Sequence, residues 1–278
     1  MTTETPIYGL VLAGGASRRM LTDKAALEYA GQTQLQRAFT LLDKICTRAF
    51  VSVRKDQIHD ATRASFPQIV DVHGDLGPLA GISAAQSVHP DVAWLILACD
   101  LPFINDSTLQ YLIDHRNPSR IATAFRSTHD QLPEPLCTIW EPSSAAHITE
   151  WINKGQKCPR KLLINSDVEL LMQPDVNALD NVNTPDEHLQ ALKAMNAQPL
   201  SLHVQYFALF REQAGKREEQ LSTIATTPAL LYAELQQRYG FNLSLNQLKV
   251  AINNEFADWH TTLKLNDRVA FIPPVAGG

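Results

Sequence analysis

Ile7-Tyr8-Gly9-Leu10-Val11-Leu12 runs directly into Ala13-Gly14-Gly15-Ala16-Ser17-Arg18-Arg19-Met20. A short apolar strand that gives way to glycines predicts the first strand of a buried sheet, because glycine lets the backbone turn sharply and approach a ligand. The segments beyond it keep one rhythm. Apolar strands are expected at 49–53, 94–98, 121–125 and 137–140, with helical spacing at 35–45, 81–88, 107–114 and 145–153. Strands alternating with helices predict a mainly parallel sheet covered on both faces. Such a sheet opens its ligand crevice at the carboxyl ends of its strands.

The composition sets bounds on function. Of 278 residues, 45% are hydrophobic and 19% charged, which is enough apolar material for a sizeable core. The formal net charge is −5 and there is no long basic run, which argues against a general nucleic-acid binder. Met1-Thr2-Thr3-Glu4-Thr5-Pro6 lacks a basic leader, and no run reaches the ~18 apolar residues of a membrane span. A cytoplasmic protein without a membrane partner is therefore expected. Cys46, Cys99, Cys137 and Cys158 are widely spaced with no C-x-x-C pair, so reduced thiols are expected rather than a zinc site or disulfides.

The rhythm changes near residue 196. Thr184-Pro185 is a good cap and first-turn pair for a helix at 186–195. The polar stretch Asn196-Ala197-Gln198-Pro199 follows, and domains at 1–196 and 200–278 are expected. Beyond it, residues 202–209 alternate like a strand. Thr227-Pro228 opens a helix at 229–239 that stops at Gly240, and further strands are expected at 249–252 and 268–272. This pattern predicts a small α+β domain.

Two features of the first domain carry chemistry. The glycine loop is flanked by Arg18, Arg19 and Lys24, and the apolar strand 93–99 delivers Asp100 at its carboxyl end. The loop has neither the G-x-x-x-x-G-K-[ST] nor the G-x-G-x-x-G spacing. Taken alone, it is also compatible with a glycine turn beside surface cations, and Asp100 with a cap or turn residue. Together, a glycine loop, a lysine and a hard oxygen ligand describe a site for a nucleoside triphosphate with magnesium.

Further matches lie in Val70-Asp71, Gly77-Pro78-Leu79-Ala80-Gly81-Ile82, Cys99-Asp100-Leu101-Pro102-Phe103, Glu134-Pro135-Leu136 and Asn181-Val182-Asn183-Thr184-Pro185. With Leu12-Ala13-Gly14-Gly15, Arg19, Met20 and Lys24, these resemble the molybdenum cofactor guanylyltransferases over nearly the whole first domain. The resemblance implies a Rossmann-like nucleotidyltransferase fold. It implies that Leu12, Ala13, Gly14, Gly15, Lys24, Asp71 and Asp100 bind GTP, that Asp100 holds Mg2+, and that Asn181 and Asn183 line the side that takes molybdopterin. Lys24 and Arg19 would stabilise the leaving pyrophosphate. Asp71 could accept hydrogen bonds from guanine or from ribose. The first loop and the Gly-Pro-Leu-Ala-Gly segment favour GTP over CTP. Leu21 stands where the family usually has glycine, and would be strained if that position needs positive φ. The alternatives are a cytidylyltransferase or sugar-phosphate nucleotidyltransferase, or a non-catalytic scaffold.

The chain given stops at Pro273-Pro274-Val275-Ala276-Gly277-Gly278. Glycines without side chains can thread a narrow active site in extended form; a frayed tail is the plainer reading. Residues 200–278 resemble the small, sulfur-carrying subunit of molybdopterin synthase, a ubiquitin-like β-grasp protein. The likeness rests on 204–212, on Lys249-Val250-Ala251-Ile252-Asn253, and on the run from Asp267 to Gly278. It implies that Gly278 becomes a thiocarboxylate, and that the partners are the large synthase subunit and an ATP-dependent activating enzyme.

Overall fold

The computed structural model describes residues 5–14, 23–29, 31–71, 76–195 and 199–274. The chain divides into two compact units, Met1–Asn181 and Val182–Gly278.

The first unit contains β1 (Ile7–Leu12), the small hairpin β2 (Glu28–Tyr29) and β3 (Gln32–Thr33), α1 (Gln34–Ile45), β4 (Arg48–Arg54), β5 (Gln68–Asp71) and α2 (Pro78–Val88). Then come β6 (Ala93–Ala98), α3 (Asp106–Asp114), β7 (Ala122–Arg126), β8 (Pro133–Trp140), α4 (Ser144–Asn153), α5 (Pro159–Ile164) and β9 (Val168–Leu171). Seven strands form one sheet in the order β5-β4-β1-β6-β8-β7-β9. It is parallel except at β8, which runs antiparallel to both β6 and β7. This is the mostly parallel α/β sheet expected, with one reversed strand.

Alternate residues of each strand feed different faces. Val11, Val51, Leu95 and Leu97 pack with Leu35, Leu42, Leu109 and Leu112 of α1 and α3. Leu10, Trp94, Ile96 and Trp140 pack with Ile82, Ile148 and Leu162 of α2, α4 and α5. Helix α1 lies so close to β1 that a Cβ on Gly9 would sit 2.8 Å from Leu42 Cβ. Gly9 therefore sets the distance between helix and sheet.

The second unit contains α6 (Pro185–Ala194), β10 (Leu200–Tyr206), α7 (Leu209–Ala214), β11 (Glu218–Thr223), α8 (Pro228–Tyr239), β12 (Lys249–Ile252), β13 (Glu255–Ala257) and β14 (Arg268–Ile272). Its mixed sheet has the order β11-β10-β14-β12-β13, with β10 and β14 parallel and the other pairs antiparallel. This is a β-grasp arrangement. Tyr232 of α8 meets Phe271 of β14 at 5.2 Å between ring centroids, and Trp259 stacks on Phe271. Gly240 ends α8 at φ 69°, a left-handed cap that glycine adopts without strain. The strand expected at 202–209 ends earlier. Ala208 takes φ 44°, which breaks the extended run, and Leu209 begins α7 instead.

Helix α6 opens on a full capping box, in which Thr184 accepts from the Glu187 N–H and the Glu187 carboxylate accepts from the Thr184 N–H. It packs against α8, and Gln237 donates to Asp186 at 2.9 Å. Residues 196–198 of the expected linker lie outside the described residues. Leu189 and Leu192 of α6 are fully buried, and burying a leucine contributes about 1.5–3 kcal/mol. A fragment of residues 182–278 should therefore melt at a higher temperature than one of residues 199–278. Equal melting temperatures by circular dichroism would leave the polar stretch as the better boundary.

Candidate active site

The carboxyl ends of β1, β4, β5 and β6 converge on a cavity of about 260 Å³. Leu12, Ala13, Gly14, Lys24, Asp71 and Asp100, six of the residues expected to act together, all line it. The amino end of α2 opens onto the same space through Gly77, Pro78 and Gly81. Gly77 has φ 56°, and Pro78 fills the first helical position, where its missing N–H costs nothing. First-turn amides that lack helical partners suit an anion.

Three aspartates line the cavity, Asp23, Asp71 and Asp100, and the last two differ in their partners. Lys24 Nζ lies 2.9 Å from Asp100 Oδ2. Asp100 Oδ1 is buried and has no hydrogen-bond partner among the described residues. The carboxylate thus keeps capacity for a cation, and an Asp at a strand end suits magnesium, which needs only one or two protein carboxylates beside phosphate oxygens. Asp71 accepts from Ser52 Oγ at 2.7 Å. Burial pushes its carboxyl above the ordinary range, opposed by the Ser52 hydrogen bond and the nearby Arg54 charge.

Close packing around Asp71 accounts for two glycines. A Cβ on Gly14 would sit 3.2 Å from Asp71 Oδ2, and one on Gly81 would sit 2.3 Å from Ser52 Oγ. Gly81 thus lets α2 press against the hydroxyl that holds Asp71. Beyond Asp100, Gln34 donates to the Leu101 carbonyl at 3.0 Å and Arg37 to the Pro102 carbonyl at 3.1 Å. The start of α1 thereby anchors the chain just after Asp100. Cys99 is buried in the wall, and burial, ahead of the Asp100 charge, pushes its thiol up to about 12, which disfavours the thiolate.

Residues 9–170, more than half of the chain, match the family model of MobA-like NTP transferase domains. The chain belongs to that family. Residues 204–278 match the ThiS family. Among relatives, the molybdenum cofactor biosynthesis bifunctional protein of Synechocystis sp. is 37% identical over 188 residues, which cover 68% of this chain and 54% of that protein. The match thus spans about half of that relative's length. The molybdenum cofactor guanylyltransferase of Rhizobium johnstonii is 30% identical over 207 residues, covering 69% of this chain and 94% of that protein. The crystal structure of molybdopterin-guanine dinucleotide biosynthesis protein A from Archaeoglobus fulgidus matches with a TM-score of 0.58 at 21% identity, covering 68% of this chain and 98% of that one. At that identity the likeness speaks for the fold.

In the MobA-like unit, Asn181 is the last residue and does not line the cavity. Asn183 belongs to the ThiS-type unit, where its N–H donates to Glu187 at 2.6 Å. Gly15, Arg19, Leu21 and Gly278 lie outside the described residues. The sequence reading missed Ser52, Arg54 and Arg63. Arg54 lines the cavity and donates to the Gly14 carbonyl, while Asp56 holds the far side of its guanidinium. Its place at the last residue of β4, beside the other strand ends, was the available signal.

The raised carboxyl of Asp71 has a measurable consequence. A folded-state pKa above the ordinary 3.8 means that stability is fullest below that value and falls as pH rises through the folded pKa. At pH 7 the burden of the buried charge is fully present. Asp71→Asn should therefore raise the melting temperature at pH 7, with the gain shrinking toward pH 4. A melting temperature that drops at pH 7 would show that Asp71 stabilises the fold as an anion.

Proposed function

We propose that the MobA-like unit transfers the guanylyl group of GTP to a phosphate oxygen of molybdopterin with magnesium, and that the ThiS-type unit carries sulfur as a thiocarboxylate on Gly278. Both roles belong to molybdenum cofactor biosynthesis. The observation that carries the first role is the single cavity that gathers Gly14, Lys24, Asp71, Asp100 and the amino end of α2.

In this reading, the attacking oxygen forms a bond to the α-phosphorus of GTP as the bridge to the β-phosphate breaks, and pyrophosphate leaves with the electron pair. Such a reaction asks the protein for alignment and charge neutralisation rather than covalent chemistry. Lys24 exchanges its Asp100 partner for phosphate oxygens, and Arg19 supplies a second cation to the leaving group. Asp100 would hold magnesium, which supplies neutralisation of phosphate charge. The absent side chain of Gly14 leaves room beside Asp71, which accepts hydrogen bonds from guanine or ribose. The guanylyltransferase names of relatives favour guanine over cytosine.

Guanylyl transfer by the intact chain, assayed with GTP and CTP in parallel, tests this reading. Turnover with GTP is expected, and Asp100→Ala should lower it by about 10²–10³-fold with the fold intact, in line with the loss of a key electrostatic group. Full activity in that variant, or equal use of CTP, would overturn the assignment.

Support for the second role comes from the ThiS-family match, which runs to residue 278, and from Pro273 and Pro274, which follow β14 and stiffen the exit of the chain. The partners would be the large subunit of molybdopterin synthase and an ATP-dependent activating enzyme. With such an enzyme, ATP and a sulfur source, the native chain should gain the mass of one sulfur in place of one oxygen. A chain extended by one residue after Gly278 should not load. Equal loading of the two chains would refute the carrier role.

A further inference from the structure

Arg63 lies in a polar turn between β4 and β5, where an arginine ordinarily reaches into solvent. Here its side chain is 1% exposed. A buried guanidinium is tolerated only when its N–H groups are matched, and this one is matched on several sides. Nε and Nη2 both donate to the Ala13 carbonyl, at 3.0 and 2.7 Å. Nη1 reaches Asp60 Oδ1 at 2.8 Å and Asp23 Oδ2 at 2.5 Å.

The partners are what give this arrangement meaning. Ala13 is the residue after β1 and precedes Gly14. Asp23 caps the short turn Lys24–Ala26 and accepts from the Ala25 N–H at 3.0 Å. These two anchors flank the glycine loop on either side, and each is followed directly by a residue that lines the cavity, Gly14 or Lys24. Arg63 is itself held from behind. Gln68, the first residue of β5, donates to the Arg63 carbonyl at 3.0 Å and to the Ile58 carbonyl at 3.1 Å. The same strand ends in Asp71.

We propose that Arg63 is a positioning residue of the nucleotide site, tying Ala13 to Asp23 and so fixing where Gly14 and Lys24 stand on the cavity wall. This rests on the nucleotide-site reading above. Arginine suits the task because its planar fork can place two N–H groups on one carbonyl while two more face carboxylates; lysine has the charge without the fork. Arg63 touches no cavity space, so its effect passes through Lys24 and Gly14.

The test is Arg63→Lys in the full chain, compared with Arg116→Lys. Arg116 is the suitable control because it is also buried, donating at 2.7 Å to each Glu141 oxygen and at 2.8 Å to the Thr5 carbonyl, far from the cavity in sequence and absent from its wall. Two quantities are read in each protein: amide hydrogen exchange at Ala13 and Ala25, and the dissociation constant of Mg·GTP. Arg63→Lys should speed exchange at both amides and weaken Mg·GTP binding by about tenfold or more, since misplacing a binding group by about 1 Å has effects of that order. Arg116→Lys should lower the melting temperature yet leave both quantities within about twofold of the native chain, as expected for a distant, independent site. Added to Lys24→Ala, Arg63→Lys should weaken binding by less than it does in the native chain, because only the route through Gly14 remains.

Unchanged exchange, unchanged affinity, or the same change in Arg116→Lys would overturn the proposal, as would a fully additive double variant. If Arg63→Lys does not fold, Asp60→Asn removes a partner of Arg63 that lies outside the cavity wall and carries the same two readouts with the same expected direction. If the native chain binds no Mg·GTP, the nucleotide reading falls, and the exchange measurement alone decides whether Arg63 holds Ala13 to Asp23.

Discussion

Everything at the cavity depends on the register in which β1 sits between two parallel neighbours. Leu12 pairs with Ser52 on one side and with Ala98 on the other, and Arg54 pairs with Asp71 one strand further out. Parallel strands in this register end at the same edge of the sheet. Ala13, Gly14, Arg54, Asp71 and Asp100 all lie at or just beyond that edge, although they come from four separate stretches of sequence. A slip of one residue would turn each side chain to the opposite face. The packing forbids it, since Leu10 and Val11 are committed to different cores.

Much of this was legible in the sequence because it is written in local signals. Apolar strands, a glycine turn and a carboxylate at a strand end need no distant partner to be recognised. The first core strand and the strand leading to Asp100 were readable for that reason. Strand β5 was not readable as a strand, because four residues beginning at Gln68 offer too short a pattern, although Asp71 at its end was picked out by family resemblance. The reversed direction of β8 also left no local mark; only its pairing with β6 and β7 reveals it. Arg63 was hidden most completely. Its neighbours His59, Asp60, Thr62 and Ser65 read as a solvated turn, and its burial depends on a carbonyl 50 positions away.

Two arginines of the first unit with buried side chains, Arg63 and Arg116, show how one chemical device serves two ends. Arg116 meets Glu141 in a two-pronged pair, which closes a structural corner beneath Thr5. Arg63 divides its fork among a backbone carbonyl and two aspartates, so no single partner owns it. The first pattern holds two elements together. The second ties Ala13 to Asp23, two residues that both line the cavity.

In the second unit, β14 lies in the middle of its sheet, with β10 on one side and β12 on the other. The residues after Ile272 therefore leave from a central strand, paired on both sides, rather than from an edge. A pull on that tail loads β14 along its own axis, so the hydrogen bonds to both neighbours carry the force together and cannot be peeled one at a time. The exit of the chain at Pro273 can thus bear tension while the sheet behind it stays closed, a mechanical property that follows from strand order.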